Sequence, residues 1–282
     1  MRNKIIAITG HKGVLGKSFI QKYKNNKFLK CKFDITDRNK TFKWIKKNNF
    51  DILLHFAALV PTADVDKNKA KAININYNGT KNIVDALLEH KQHNKPWIFL
   101  SSTSHVYKFS KKILNENSLI GPISFYGKTK FLAEKYFKKK LEQKNYTYCI
   151  GRIFSFTHIS QKKTFFIPSI FNKLIKTKLQ KISFKNMYQR RDFVSVLDIA
   201  TAISQLYKQR KKGVYNICSS KGIYLHQIIK LISKKIRPNI KIIFYKEKSN
   251  NHLVGSNLKL RQIGWKSKDS INKIINEFYK KK

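Results

Sequence analysis

The chain has 282 residues, 41% of them apolar and 13% aromatic, enough for one large domain, or a large plus a small one, around a buried core. The opening MRNKIIAITG lacks the apolar h-region of a signal peptide, and no apolar run reaches membrane-spanning length, so a soluble cytoplasmic protein without a membrane partner is expected. A net charge of +45 would alone suggest a nucleic-acid partner, yet the lysines are spread over nearly every surface segment and form no patch, so none is expected.

The first predicted element is a strand, KIIAIT (4–9), followed by Gly10-His-Lys-Gly13-Val-Leu-Gly16 and a helix to about Asn25. Strand, glycine turn and helix in that order suit a pyrophosphate: glycines permit the tight bend and close approach, and the N–H groups opening the helix hold the charge. Cofactor contacts are therefore expected at Gly10, Lys12, Gly13, Val14, Leu15 and Gly16. The strand-like KFLKCKF (27–33) ends at Asp34, the one acidic candidate for the adenosine ribose at the expected distance. Only one strand separates the first helix from the second (38–48), so Asp34-Ile35 could meet the adenine instead. Lys12, Lys30 and Lys32 offer charge to a 2′-phosphate, so the cofactor reads as NADP(H) or NAD(H), leaning to NADP(H).

A buried strand, DILLHFAA (51–58), ends in Ala57 and Ala58, and a helix then carries NYNGTKN (76–82). The next strand, WIFL, runs into SSTSHVY (101–107). Strand and helix alternate throughout, which predicts an α/β fold: a doubly wound parallel sheet of Rossmann type with ligands at the C-terminal strand ends, where Ala57, Ala58 and Ser101 lie. Cys31, Cys149 and Cys218 lie far apart in apolar runs, as befits reduced buried thiols, and no metal site is expected. In SFYGKTK, Tyr126 and Lys130 stand one helical turn apart, but Tyr-x-x-x-Lys also begins at Tyr23, Tyr77, Tyr107, Tyr136 and Tyr207, so the spelling alone selects nothing.

Taken in order, TGHKGVLG, DITD, HFAA, NYNGTKN, SSTSHVY, YGKTK and RDFVSVLDIA resemble the extended short-chain dehydrogenase/reductases, the NAD-dependent epimerase/dehydratase group that modifies sugar nucleotides. The resemblance spans nearly the whole chain and selects Tyr126 and Lys130, because only they follow SSTSHVY at the family's distance. It implies Tyr126 as proton-transfer group, Lys130 as the residue that lowers its pKa and holds the nicotinamide ribose, and Thr103 as the hydroxyl beside the reacting sugar oxygen. The physics is compatible: bringing a phenol from about 10 to neutrality takes about 4 kcal/mol, and an ammonium at ~5 Å in an effective dielectric of ~20 supplies about 3 kcal/mol. By the same resemblance Arg191 would hold the nucleotide diphosphate, the alternative being an Arg191–Asp192 surface pair. Ser155 would touch substrate where the family has Asn.

Where the family's 4,6-dehydratases carry Asp-Glu, this chain has Ser104 and His105, which argues against dehydration. His105 is either a further proton-transfer group or a structural residue. GHKG and the tail VYNICS…LVGSN…IGW are similar to the reductases of the group. The expected function is NAD(P)H-dependent reduction of a nucleoside-diphosphate 4-keto-6-deoxyhexose in surface-polysaccharide precursor synthesis. The alternatives are an NAD-dependent nucleotide-sugar 4-epimerase and a non-enzymatic RNA-binding or redox-sensing relative. The resemblance also implies a homodimer. It further implies a dinucleotide-binding domain over 1–155, to which 192–217 return, and a smaller substrate lobe from 156–191 and 218–282.

Overall fold

The computed structural model describes residues 3–60, 62–90, 95–245 and 251–280. From β1 (Ile5–Thr9) the chain turns into α1 (Val14–Lys22), β2 (Lys27–Lys30), α2 (Arg38–Lys47) and β3 (Ile52–His55). Short helices α3 (Thr62–Lys67) and α4 (Lys69–Ile73) lead through a π-helical turn (Asn74–Asn78) into α5 (Gly79–Glu89), followed by β4 (Trp97–Thr103), α6 (Phe125–Gln143) and β5 (Tyr148–Ile153). Then come β6 (Ser155–Thr157), α7 (Phe166–Lys176), β7 (Lys181–Phe184), β8 (Arg190–Ser195), α8 (Val196–Lys208) and β9 (Gly213–Ile217). The chain closes with β10 (Gly222–Tyr224), α9 (Leu225–Ile236), β11 (Lys241–Phe244), α10 (Leu258–Arg261) and α11 (Ile271–Lys280).

Six strands form one parallel sheet in the order β2-β1-β3-β4-β5-β9. Its strands are apolar on both faces, as a sheet covered on both sides requires. Ile6, Ile8, Ile52, Leu54, Trp97 and Phe99 pack on one side with Phe19 of α1 and Ile199 and Ile203 of α8. Their neighbours Ala7, Leu53, Ile98 and Leu100 pack on the other with Ile45 of α2, Ile83 and Leu87 of α5 and Phe137 of α6. This is the expected doubly wound sheet. Because the chain leaves β1 for β2 on one side and returns to β3 on the other, the crevice for a ligand opens between β1 and β3, where the glycine turn lies.

β8 joins β6 and β10 in a three-stranded sheet, and β7 pairs with β11. A separate apolar cluster, including Ile167, Phe171, Phe193, Ile228, Ile232 and Ile275, gathers α7, β8, α9 and α11. Leu260 and Trp265 pack instead into the core of the large sheet, and the Trp265 indole donates to the Thr201 hydroxyl at 2.9 Å. Among the described residues no helix is long and apolar enough to cross a membrane, and all three cysteines are free and buried.

Two elements are shorter than the sequence suggests. α1 stops at Lys22, because the Asn26 side chain donates to the Tyr23 carbonyl (2.8 Å) and accepts from Lys4 N (3.1 Å), tying the next turn to the edge of β1. β2 stops at Lys30 rather than at Asp34. One more rung follows, Cys31 N to Ile8 O (2.9 Å), before Asp34 folds back to accept from Thr36 N (2.9 Å), a local side-chain turn that competes with the ladder.

Candidate active site

The glycine turn is built where a side chain does not fit. Gly10 has φ +68°, and a Cβ there would stand 2.6 Å from Ala57 N and 2.7 Å from the Phe56 carbonyl carbon. A Cβ at Gly16 would strike the Gly10 carbonyl, so α1 packs directly on the turn. Gly13, which precedes α1, makes no side-chain cap, and its N–H closes the turn on Gly10 O at 3.0 Å. The amides opening α1 have no intrahelical acceptors and follow directly on the glycine turn, a ready site for an anion. Val14 is half-buried and Leu15 lies in the core.

Lys12, Lys30 and Lys32 converge as expected: after burial, they are what lowers the pKa of His11. Asp34 is exposed and Ile35 buried against Gly79. Asn82, from NYNGTKN, secures this loop by donating to the carbonyls of Ile35 (3.0 Å) and Thr36 (3.2 Å). Ala57 N donates to the Thr9 hydroxyl (3.2 Å), and the Ser101 hydroxyl donates to His55 O (3.1 Å), which places both beside the ends of β1 and β3. Ala58 follows in the same loop, half-buried.

His55, wholly buried at the end of β3, was not singled out by its sequence. Its Nε2 lies 3.0 Å from the Thr80 hydroxyl, which itself donates to Asn76 O (2.7 Å); Thr80 must therefore accept, and His55 carries its proton on Nε2. Nδ1 then accepts from the Thr9 hydroxyl at 2.7 Å. Burial, with Lys130 second, pulls its pKa down to about 3. Because the unfolded chain takes up this proton near pH 6.5 and the folded one does not, the stability contributed is full above about pH 6.5 and falls as the pH drops toward the folded value. Going from about pH 7 to about pH 5 should remove about 2 kcal/mol from the unfolding free energy, and His55→Gln should flatten that slope in paired urea titrations.

The next group sits where β4 meets the start of α6. Ser124 caps α6, its hydroxyl accepting from Gly127 N at 3.0 Å and lying 3.0 Å from His105 Nδ1. A side chain at Gly127 would run into the His105 carbonyl, so the glycine of YGKTK lets the first turn of α6 press onto residue 105. The Tyr126 and His105 rings meet edge to face, centroids 5.9 Å apart. Burial pushes the Tyr126 phenol well above its ordinary range, and only a hydrogen bond from Thr103 acts against this. His105 is drawn down to about 4 by burial and then by Arg191, so it is neutral near pH 7. Asn76, in the π-helical turn, braces this turn by donating to the Thr129 hydroxyl (3.0 Å) and accepting from Leu59 N (2.7 Å).

Lys130, 1% exposed, has an amine without a hydrogen-bond partner, the one buried side-chain polar atom so placed among the described residues. Burial lowers its pKa to about 8, with Glu134 acting in the opposite sense. An orphaned buried amine and a glycine cradle fit a nicotinamide dinucleotide that supplies the missing hydrogen-bond acceptors and an anionic pyrophosphate.

Arg191 lies on β8, within reach of His105 electrostatically and 5.5 Å from the Phe109 ring centroid. Its Nη1 donates to the carbonyls of Arg190 (3.0 Å) and Asn251, and its Nη2 to Gln189 Oε1 (2.6 Å). The surface pair with Asp192 does not form: Asp192 is buried and accepts from Ser219 N (2.8 Å), the Ser219 hydroxyl (2.6 Å) and Ser220 N (2.9 Å). Thr103, His105 and Tyr126 thus gather at the start of α6, with Arg191 near enough to His105 to bear on its charge. Ser155, half-buried at the start of β6, is paired with Phe193 of β8.

The parallel sheet, the glycine turn at its switch point and the Tyr-x-x-x-Lys turn on a covering helix define an extended short-chain dehydrogenase/reductase. The family model described as GDP-mannose 4,6 dehydratase matches residues 13–278, and the chain belongs to that family, within the NAD-dependent epimerase/dehydratase group. It is 24% identical to a UDP-glucose 4-epimerase of Lactobacillus helveticus, over 89% of this chain and 83% of the relative. It is 22% identical to a GDP-6-deoxy-D-mannose reductase of Pseudomonas aeruginosa, over 81% and 80%. The solved structure of RMD from Pseudomonas aeruginosa, complexed with NADPH, superposes with a TM-score of 0.88 at 19% identity, covering 99% of this chain and 98% of that one.

Proposed function

We propose that the protein is an NAD(P)H-dependent reductase of a nucleoside-diphosphate 4-keto-6-deoxyhexose, acting in the cytoplasm in surface-polysaccharide precursor synthesis. The observation that carries this reading is the meeting of Tyr126 with His105 in the first turn of α6, one turn before the orphaned, buried Lys130 amine. A phenol kept protonated at neutral pH is a proton donor, which is what carbonyl reduction asks of the protein. Bound nicotinamide would supply the hydride. Tyr126 gives its proton to the new hydroxyl oxygen, Thr103 orients that oxygen, and the Lys130 amine holds the nicotinamide ribose. Arg191, whose Nη1 is held by the carbonyls of Arg190 and Asn251, offers the diphosphate its charge and remaining N–H groups, with Ser155 lining the sugar side. His105, neutral and in contact with Ser124, serves as a hydrogen-bonding wall of the cleft. Ser104 and His105 bring no carboxylate, which weighs against the dehydration after which the matching family is described.

Gly10, Lys12, Gly13, Val14, Leu15, Gly16, Asp34, Ile35, Ala57, Ala58 and Ser101 form the proposed dinucleotide site, with residues 1–155 and 192–217 as its domain and the remainder as the substrate lobe. The three lysines around His11 favour a 2′-phosphate, hence NADP(H). Pairing of two copies through the faces bearing NYNGTKN and YGKTK is proposed as the oligomeric state, to be read by sedimentation.

The test is consumption of NADPH and of NADH with GDP- and dTDP-linked 4-keto-6-deoxyhexoses, preceded by mass spectrometry of any dinucleotide released on denaturation. One equivalent of reduced cofactor per sugar is expected, with NADPH bound more tightly than NADH and the gap narrowing in salt. The relatives named as 4-epimerases make the rival outcome concrete: oxidised NAD retained through purification, with no external cofactor consumed. RNA binding with a steep salt slope and no response to nucleotide sugars would place the chain outside enzymology.

A further inference from the structure

Glu134 follows Lys130 by one turn of α6, the spacing at which two side chains share a helix face. It is 3% exposed, and a buried carboxylate is costly unless paired. Its partners come from one rung of the sheet, because Ser102 of β4 and Arg152 of β5 are directly opposed in register. Arg152 donates from Nη2 to Oε2 at 2.8 Å and from Nε to both carboxylate oxygens at 3.2 Å, while the Ser102 hydroxyl donates to Oε1. Arg152 is fixed in turn by Glu116 O (3.3 Å from Nη1) and by the Tyr107 ring, 4.8 Å from its guanidinium. Residue 102 immediately precedes Thr103 in β4, and Glu134 lies on the helix that carries Tyr126 and Lys130.

The Lys130 amine, by contrast, has no hydrogen-bond partner. Burial favours its neutral form, and Glu134 is the group that opposes this. The other titratable groups facing Lys130 supply no negative charge: Tyr126 on the same helix is held protonated, and His55 on β3 is neutral. Arg152, from β5, bears on Lys130 through Glu134, which it pairs at 2.8 Å.

We propose that Glu134 is a positioning residue for Lys130: clamped by Arg152 and Ser102 over one β4–β5 rung, its carboxylate keeps the Lys130 amine charged and directed at the ribose of a bound dinucleotide. This rests on the reading of Lys130 as the ribose-holding group. The charge account is one carboxylate between two cations, so anything that frees or removes negative charge on Glu134 must be felt at Lys130.

The test is an NMR titration of protein labelled at lysine Cε, without cofactor, with the Lys130 signal assigned by Lys130→Met. Glu134→Gln should lower the Lys130 pKa by about one unit. Ser102→Ala should lower it too, by less, because the carboxylate loses one of the two groups that hold it ionised and in place. A merely structural clamp would lower thermal stability in both variants and move neither pKa, and an unmoved pKa in folded Ser102→Ala overturns the proposal even if Glu134→Gln does not fold. The dissociation constant of NADPH followed against pH then separates the two readings. A Lys130 pKa that shifts with Glu134 while dinucleotide affinity ignores it sustains the coupling and overturns the ribose-holding role.

Discussion

Tyr126→Phe should cut turnover of the keto-sugar nucleotide by about 10³-fold while leaving NADPH affinity and the unfolding midpoint where they are. The substitution removes one oxygen from a half-buried ring whose edge-to-face contact with His105 survives, so the fold has little to lose. What disappears is the proton donor. Thr103→Val should cost less, about 10²-fold, since the phenol remains and only its alignment is lost, together with the Thr103 hydroxyl that accepts from His105 N at 3.2 Å. Stopped assays of cofactor oxidation, with dinucleotide titrations on the same preparations, check both. Turnover persisting in Tyr126→Phe would remove the phenol from the mechanism.

The direction of the Tyr126 shift bears on the chemistry. The sequence leads one to expect a phenol made acidic by Lys130, the state suited to abstracting a proton. In the folded chain burial dominates and raises the phenol's pKa, with Thr103 acting against it and Lys130 not among the causes. A phenol protonated at rest can donate, as an unperturbed tyrosine also can at neutral pH. An epimerase needs the same residue as a base in one half of its cycle, for which a positive oxidised nicotinamide would have to supply the missing stabilisation.

The glycine turn and the order of strands were legible because each depends on residues close together in sequence or on the order of motifs along it. The partners that set the site's electrostatics were not. Glu134 sits in the same Tyr-x-x-x-Lys-x-x-x-Glu spacing and could have been noticed, but its clamp depends on the register of β4 against β5, which brings Ser102 opposite Arg152. His55 reads in sequence as one residue of an apolar strand. Its role emerges only when β1 delivers Thr9 and α5 delivers Thr80 to its two nitrogens. The π-helical turn over Asn74–Asn78 was equally hidden, since nothing in NINYN distinguishes a widened turn from an α-helical one, and such turns persist where a side chain must be aimed. Here that side chain is Asn76. The ends of α1 and β2 were misplaced for a related reason: Asn26 and Asp34 offer their own side chains to the backbone in place of the helical or ladder partner.

Gly13→Ala and Gly10→Ala should fail in different ways, and the contrast tests whether the turn is a cofactor cradle or only a bend. At Gly13 the backbone is extended, φ −73° and ψ 167°, which alanine adopts freely. An added Cβ meets only the Gly10 carbonyl oxygen, at 3.3 Å. The fold should therefore keep its stability to within about 0.5 kcal/mol, while the methyl stands at the amides that open α1 and displaces a pyrophosphate, weakening dinucleotide binding by about 10²-fold. At Gly10 alanine must take φ +68° and drive its Cβ into the backbone at Ala57, separating the ends of β1 and β3. That should cost about 3 kcal/mol of stability, with cofactor affinity lost as a consequence. Urea titrations paired with NADPH binding decide the matter. If Gly13→Ala binds the dinucleotide as the unaltered chain does, the amides of α1 are not where the pyrophosphate rests.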